Sequence, residues 1–315
     1  PRILSRQGPA VEITAGDIQP SIRQKGVEAV VGNLADVTRW EEALKVCDAC
    51  VHMVGILREQ RSTGQSFERI HYQGTVDIVK ACSRNGVQRF IHLSANGVEK
   101  GLDTPYMRTK ALAEQAVQSS GLDWTILRPS LIYAGESNQQ NFVSTIQGNL
   151  DALPMFPYFG DGSYRMSPVS AKEVGDSVVA ALAQTNSIKK IYHLCGNETY
   201  TYKALLHLIN EVGKYRCKFF GVPLWLATSA GNVLGSIPGF PITGDMVKML
   251  AAGNASPVNA LTQADLGVAA VSFKDWLQTG SLPAAPEMTP IGEVVLAAPV
   301  TTHLQAEDAP PIADC

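Results

Sequence analysis

Short apolar runs alternate with amphipathic segments through the first half of the chain, and few folds accommodate that rhythm. VEAVV (27–31), ACVHMV (49–54), FIHL (90–93) and WTIL (124–127) are each four to six residues long. Between them, Phe67–Asn85 sets Ile70, Val76, Ile78, Val79 and Cys82 on one broad helical face, and a second helix runs from Tyr106 to Ser120. Near-continuous apolar strands separated by helices require a parallel sheet covered on both faces, the doubly wound α/β class. Pro1–Ser5 reads as a further strand and Val37–Val46 as a further helix. In such sheets ligands gather at the carboxyl ends of the strands.

One stretch, Arg89–Glu114, places chemistry at that end. The strand Phe90–Leu93 closes on Ser94, and the following helix opens with Thr104 as N-cap and Pro105 as first helical residue. Tyr106 and Lys110 are four apart, so both project from one helix face. A free phenol titrates near about 10, and an ammonium beside it favours the phenolate. Tyr106 then becomes a general acid or base for a carbonyl or alcohol oxygen, with Ser94 holding that oxygen and Lys110 in reach of sugar hydroxyls. Tyr-x-x-x-Lys alone recurs by chance; its position after a serine-terminated strand makes it more specific.

Composition narrows the remaining classes. A formal net charge of −3 over 315 residues, without long basic runs, argues against nucleic acid as a partner. Cys47-Asp48-Ala49-Cys50 is formally a Cys-x-x-Cys. It closes a helix and enters a strand, the reverse of the thioredoxin arrangement, and no second such pair completes a zinc site. No metal site is expected. His52, His92 and His193 lie inside expected strands, where buried structural roles are the simpler reading. The most apolar long stretch, Phe219–Phe240, is broken by Pro223, Asn232 and Pro238, so no transmembrane segment is expected. The chain opens at Pro1 rather than methionine and carries no signal peptide, which suggests a processed, truncated or incomplete start.

Beyond Tyr133 the rhythm loosens. Helices are expected over Ser167–Ala183, Tyr202–Val212 and Leu224–Leu234, a strand over Lys190–Leu194, and shorter elements at Leu261–Leu266 and Phe273–Leu277. The expected division is a doubly wound, Rossmann-type domain from 1–135 and 164–197, and a smaller substrate or docking lobe from 136–163 and 198–281. Residues 282–315 read as a mostly disordered tail in which Glu293–Ala298 has strand character.

The phrases CVHMVGILRE, SFERIHYQGTVDIVKAC, RFIHLSA, PYMRTKALAEQAV, GLDWTILRPSLIY, FGDGSYRMSPVSAKEVGDSVV and QADLGV together resemble the extended and atypical short-chain dehydrogenases. Within that superfamily of epimerases and dehydratases, they are most similar to the NAD(P)H-binding accessory subunits of respiratory complex I and their bacterial relatives. The resemblance covers about residues 1–278 and is strongest between Cys50 and Ala180. It implies catalytic-type roles for Ser94, Tyr106 and Lys110. It also implies cofactor contacts from Val54, Gly55 and Ile56 at the nicotinamide half, Asn33 and Leu34 beside the adenine, and Pro129 and Ser130 after the strand that follows the Tyr106 helix. Arg6 stands where such proteins discriminate the adenosine ribose; an arginine there favours a 2′-phosphate, hence NADP(H) over NAD(H).

Two departures accompany the resemblance. His71 replaces an asparagine common in extended members. Pro1 aligns with the family's second strand, so the first strand, its glycine-rich turn and the following helix are missing from this sequence, about thirty residues. That absence would leave a central gap with a long unpaired edge. Glu293–Ala298 filling the slot from the far end is an alternative, against which Pro299 and the lack of a glycine-rich turn argue. Glu114, four residues past Lys110, reads as one half of an exposed helix pair, worth roughly 0.3 kcal/mol.

Three function classes remain open. One is an NADP(H)-dependent oxidoreductase or epimerase/dehydratase acting on a carbonyl or sugar-nucleotide substrate. The second, favoured by the resemblance, is a structural subunit that holds NADPH and docks onto complex I; the third is a redox-sensing binding protein. The resemblance implies the matrix side of the mitochondrial inner membrane in a eukaryote, with peripheral membrane association through the complex, and the cytoplasm in a bacterium.

Overall fold

The computed structural model describes residues 2–6, 28–32, 41, 44–45, 47–60, 64–133, 141–234, 243–282 and 294–299. Among these, seven parallel strands form one sheet. They are β1 (Arg2–Arg6), β2 (Glu28–Gly32), β3 (Ala49–His52), β4 (Arg89–Leu93), β5 (Asp123–Pro129), β10 (Lys190–Leu194) and β13 (Val294–Pro299). Their order is β2-β1-β13-β3-β4-β5-β10. This is the doubly wound, Rossmann-type sheet that the strand–helix alternation predicts.

Both faces of β3, β4 and β5 are buried, and the alternation along them shows how. Cys50, Phe90 and Ile126 point into one core with Ile78, Cys82, Val117 and Leu122. Their sequence neighbours Val51, Ile91 and Leu127 point into the other, with Val174, Val178 and Leu194. A strand buried on both sides has no polar face to show, which is why these runs read as continuous apolar sequence. Each fully buried aliphatic or aromatic side chain contributes roughly 1.5–3 kcal/mol. A separate apolar cluster joins Tyr133, Val143, Ile146, Met166, Leu205, Ile209, Phe273 and Trp276. Against it packs a two-stranded parallel pair, β7 (Met155–Phe159) with β12 (Lys218–Val222).

The central slot is where the structure departs most from the sequence reading. Val294–Pro299, which overlaps the stretch given strand character and realises the alternative that the sequence reading disfavoured, runs parallel between β1 and β3, with Leu296 opposite both Ile3 and Val51. The physical reason is the backbone of those two strands. Their inward-facing N–H and C=O groups need partners, and VVLAAP supplies them from an apolar strand. Pro299 stands at the last ladder position, opposite Arg6, where a missing N–H costs least. No glycine follows it in the sequence. The gap is thus closed as a sheet, without a glycine-rich turn. Residues 33–36 and most of the Val37–Val46 helix lie outside the described residues, as do 283–293 and 300–315.

Local signals set the helix that carries the chemistry. Thr104 accepts from the Met107 N–H and Pro105 occupies the first turn of the Pro105–Gln118 helix. The Phe67–Asn85 helix is real but not uniform. Glu68–Gln73 is a π-helical turn, after which Gly74–Arg84 is α-helical. The wider turn shifts the register, burying His71 and Thr75 and leaving Val76 only half-buried. Ser167–Ala183 is a helix only from Ala171, where Ser170 and Glu173 form a reciprocal capping box.

Candidate functional site

Strand ends and one helix converge at the carboxyl edge of the sheet. Ser94 is the first residue past β4, Gly55 lies past β3, and Lys110 reaches from the Pro105–Gln118 helix to donate from Nζ to the Leu93 carbonyl at 3.2 Å. A methyl group at Gly55 would stand 3.4 Å from Lys110 Nζ and 3.7 Å from His71 Nε2. Both would be ordinary van der Waals contacts, so residue 55 lies directly against the ammonium and the imidazole. Ser94 is buried, and its Oγ has no hydrogen-bond partner among the described residues. An orphaned hydroxyl, an ammonium and a phenol at one strand end have the polar complement to hold a nicotinamide riboside.

The electrostatics differ from the sequence expectation. Burial pushes the Tyr106 phenol up to about 12 and pulls the Lys110 ammonium down to about 8, with Glu114 opposing the latter shift. The anticipated lowering of the phenol by its lysine is not what the protein alone provides; desolvation sets the phenol, and it outweighs the pull of Glu114 on the ammonium. Tyr106 is consequently a hydrogen-bond donor near neutral pH. Its ring is fixed edge-on by His71 at 5.1 Å and Phe67 at 5.7 Å between centroids.

His71 is the residue that sequence reasoning undervalued. Thr109 Oγ1 gives its proton to the backbone, lying 2.9 Å from the Pro105 carbonyl and 3.0 Å from that of Tyr106. The same oxygen meets His71 Nδ1 at 3.1 Å, and the other ring nitrogen, Nε2, lies 3.0 Å from the Ile56 N–H and 3.1 Å from the Ile56 carbonyl. One imidazole thus ties the backbone at Ile56 to the tyrosine helix. The π-helical turn that aims it leaves no mark in the hydrophobic period.

Glu114 is corrected outright. It is 2% exposed, and instead of an exposed helix partner it is a bidentate acceptor for Arg128, with Nε–Oε1 at 2.9 Å and Nη2–Oε2 at 2.6 Å. Arg128 Nη1 also lies 3.4 Å from Glu99 and 3.4 Å from His193, whose Nδ1 meets Asn96 Oδ1 at 2.6 Å. Asn96 and Ser130 in turn bond Asn254, which anchors the 252–255 segment over the strand ends. Ser130 thereby has its hydroxyl committed to a backbone carbonyl.

The remaining expected cofactor residues divide plainly. Val54, Gly55, Ile56, Pro129 and Ser130 all sit at the carboxyl edge, Pro129 as the last residue of β5. Arg6 ends β1 at the same edge, and Asn33 and Leu34 lie outside the described residues. Cys50 is buried, and its thiol is pushed up by a hydrogen bond with Cys82 and by desolvation, the opposite of a reactive thiolate.

Comparison with known proteins agrees with this arrangement. The family described as NAD(P)H-binding matches residues 14–185, more than half of the chain. The NADH-ubiquinone oxidoreductase 40 kDa subunit of Neurospora crassa mitochondria is 24% identical over 210 residues, covering 67% of this chain and 54% of that protein. NADH dehydrogenase [ubiquinone] 1 alpha subcomplex subunit 9 of Mus musculus is 26% identical over 253 residues, covering 76% and 65%. The chain thus spans between about half and two thirds of the length of these relatives. Among solved structures, the triphenylmethane reductase of Citrobacter sp. complexed with NADP(H) superposes with a TM-score of 0.65 at 15% identity, covering 89% of this chain and 90% of that one. The chain belongs to the NAD(P)H-binding family and shares the Rossmann-type fold of the triphenylmethane reductase.

Proposed function

We propose that this protein holds NADP(H) as an accessory subunit of a complex I-type NADH:ubiquinone oxidoreductase, in a structural rather than a catalytic role. The observation that carries the reading is the likeness to mitochondrial complex I subunits, 24–26% identical over 210 to 253 residues. The buried phenol, raised to about 12, stays protonated near neutral pH and can donate a hydrogen bond to a bound nucleotide. Val54, Gly55, Ile56, Ser94, Tyr106, Lys110, Pro129 and Ser130 would hold the nicotinamide half, and Arg6 at the end of β1 would favour a 2′-phosphate. A bound nicotinamide supplies hydride-transfer chemistry; the chain's own groups bind and orient it. Similarity to complex I subunits supports the assembly role and, in a eukaryote, the matrix side of the inner membrane. The unpartnered Ser94 hydroxyl beside Lys110 favours the competing reading, an oxidoreductase acting on a carbonyl.

The test is isolation of the native protein from its source, followed by denaturation and quantification of released nucleotide. Stoichiometric NADPH in a large membrane assembly supports the proposal. A free protein that exchanges NADPH readily and reduces a carbonyl substrate, with loss of turnover in Tyr106→Phe, supports the enzyme. Absence of nucleotide in both forms contradicts both.

A further inference from the structure

Between Glu211 and Asp245 the sequence has no acidic residue, yet it carries Lys214, Arg216 and Lys218. All three cations are exposed. They lead directly into β12, where Phe219 turns inward against His207 while Lys218 and Phe220 stand on the outward face. Pro223 then starts the Leu224–Leu234 helix, which has no charged residue at all.

That helix touches the rest of the protein along a narrow stripe of small residues. Ala227 and Gly231 are its buried positions, and a methyl group on Gly231 would come within 2.6 Å of the Gly244 nitrogen at the start of the Gly244–Ala251 helix. The close approach spends little of the helix surface. Leu224 and Leu226 are exposed, Trp225 is 71% exposed and Val233 72% exposed. A contiguous apolar face of this kind marks an interaction surface.

We propose that this face lies on an anionic phospholipid bilayer, with Trp225 and its leucine neighbours at the acyl boundary and Lys214, Arg216 and Lys218 at the headgroup phosphates. Two features select a bilayer over a protein partner: the helix itself carries no charge, and Lys214, Arg216 and Lys218 precede it in one block with no acid between them and it, while the helix packed against it adds only the Asp245–Lys248 pair among the described residues. Among the described residues no helix is long and apolar enough to cross a membrane, so the contact is with the surface. The contact is independent of nucleotide binding and adds to any attachment through other subunits.

Co-sedimentation of the full chain with vesicles tests it, comparing phosphatidylcholine alone with phosphatidylcholine containing cardiolipin. Binding is expected only with the anionic vesicles and should weaken as salt is raised. Each charge reversal, Arg216→Glu or Lys218→Glu, should weaken it at least about fivefold, and Trp225→Ala with Leu226→Ser should abolish it without changing thermal unfolding. Brominated lipid should quench the wild type more than Trp225→Phe, a readout that needs no disruptive substitution. Equal binding to both vesicle types, no binding to either, or binding unaffected by these variants overturns the proposal. So does a Trp225→Ala, Leu226→Ser protein that loses its companion subunits but still binds vesicles, which would make the face a protein interface.

Discussion

Removing the Glu114 carboxylate tests whether the buried ion pair, rather than an exposed helix contact, organises this end of the sheet. In Glu114→Ala, Arg128 loses its two best hydrogen bonds, at 2.9 and 2.6 Å, and keeps only Glu99 and His193, each 3.4 Å away. Stranding one member of a buried pair costs about 3–5 kcal/mol; the residual help from Glu99 places this variant at about 3–4 kcal/mol. Adding Arg128→Met removes the stranded charge, so the double variant should be more stable than Glu114→Ala alone. Urea unfolding followed by fluorescence and circular dichroism measures both, provided the two probes give coincident transitions. A loss below about 1 kcal/mol for Glu114→Ala is what a solvated pair would give, and it would refute the reasoning.

Two pH dependences follow from the same burial. Lys110 is lowered from 10.5 to about 8, so between those values the unfolded chain holds a proton that the folded one lacks, and stability rises with pH. Tyr106, raised from 10.0 to about 12, acts in the opposite sense above about pH 10. Lys110→Met should therefore flatten the rise between about pH 8 and 10; unchanged slopes in wild type and variant would refute the assignment. His52 stacks on His92 at 5.5 Å and is lowered by burial from 6.5 to about 3. Acid protonates the unfolded imidazole first, so stability should fall as pH drops from about 6.5 toward 3. His52→Gln should lose less over that range, and equal losses would exclude the histidine as a source.

The sheet and its chemical edge were legible because they rest on local signals. The apolar runs at 49–54, 90–93 and 124–127 became β3, β4 and β5, to within two residues at each end. The Thr104–Pro105 start fixed the helix bearing Tyr106 and Lys110. The misses were non-local. Nothing within Glu114's own helix announces Arg128, fourteen residues away on a strand, so the i,i+4 lysine looked like its natural partner. The π-helical turn under His71 preserves the apolar composition while moving the register, which periodicity cannot detect. β7 and β12 were not anticipated because their pairing joins segments some sixty residues apart, and MFPYF contains a proline. The placement of Val294–Pro299 depends on a vacancy between β1 and β3, a property of the whole sheet rather than of the six residues.

The central claim is that the edge formed by Gly55, Ser94, Tyr106 and Lys110 binds a nicotinamide dinucleotide with a preference for the 2′-phosphate. Calorimetric titration of the full chain with NADPH and with NADH tests it most directly. The account predicts saturable binding at one site, at least about tenfold tighter for NADPH, a difference of about 1.4 kcal/mol. The preference should be lost in Arg6→Asp and binding weakened in Gly55→Val. Saturable binding of neither nucleotide, or equal affinity for both that Arg6→Asp leaves unchanged, would contradict it.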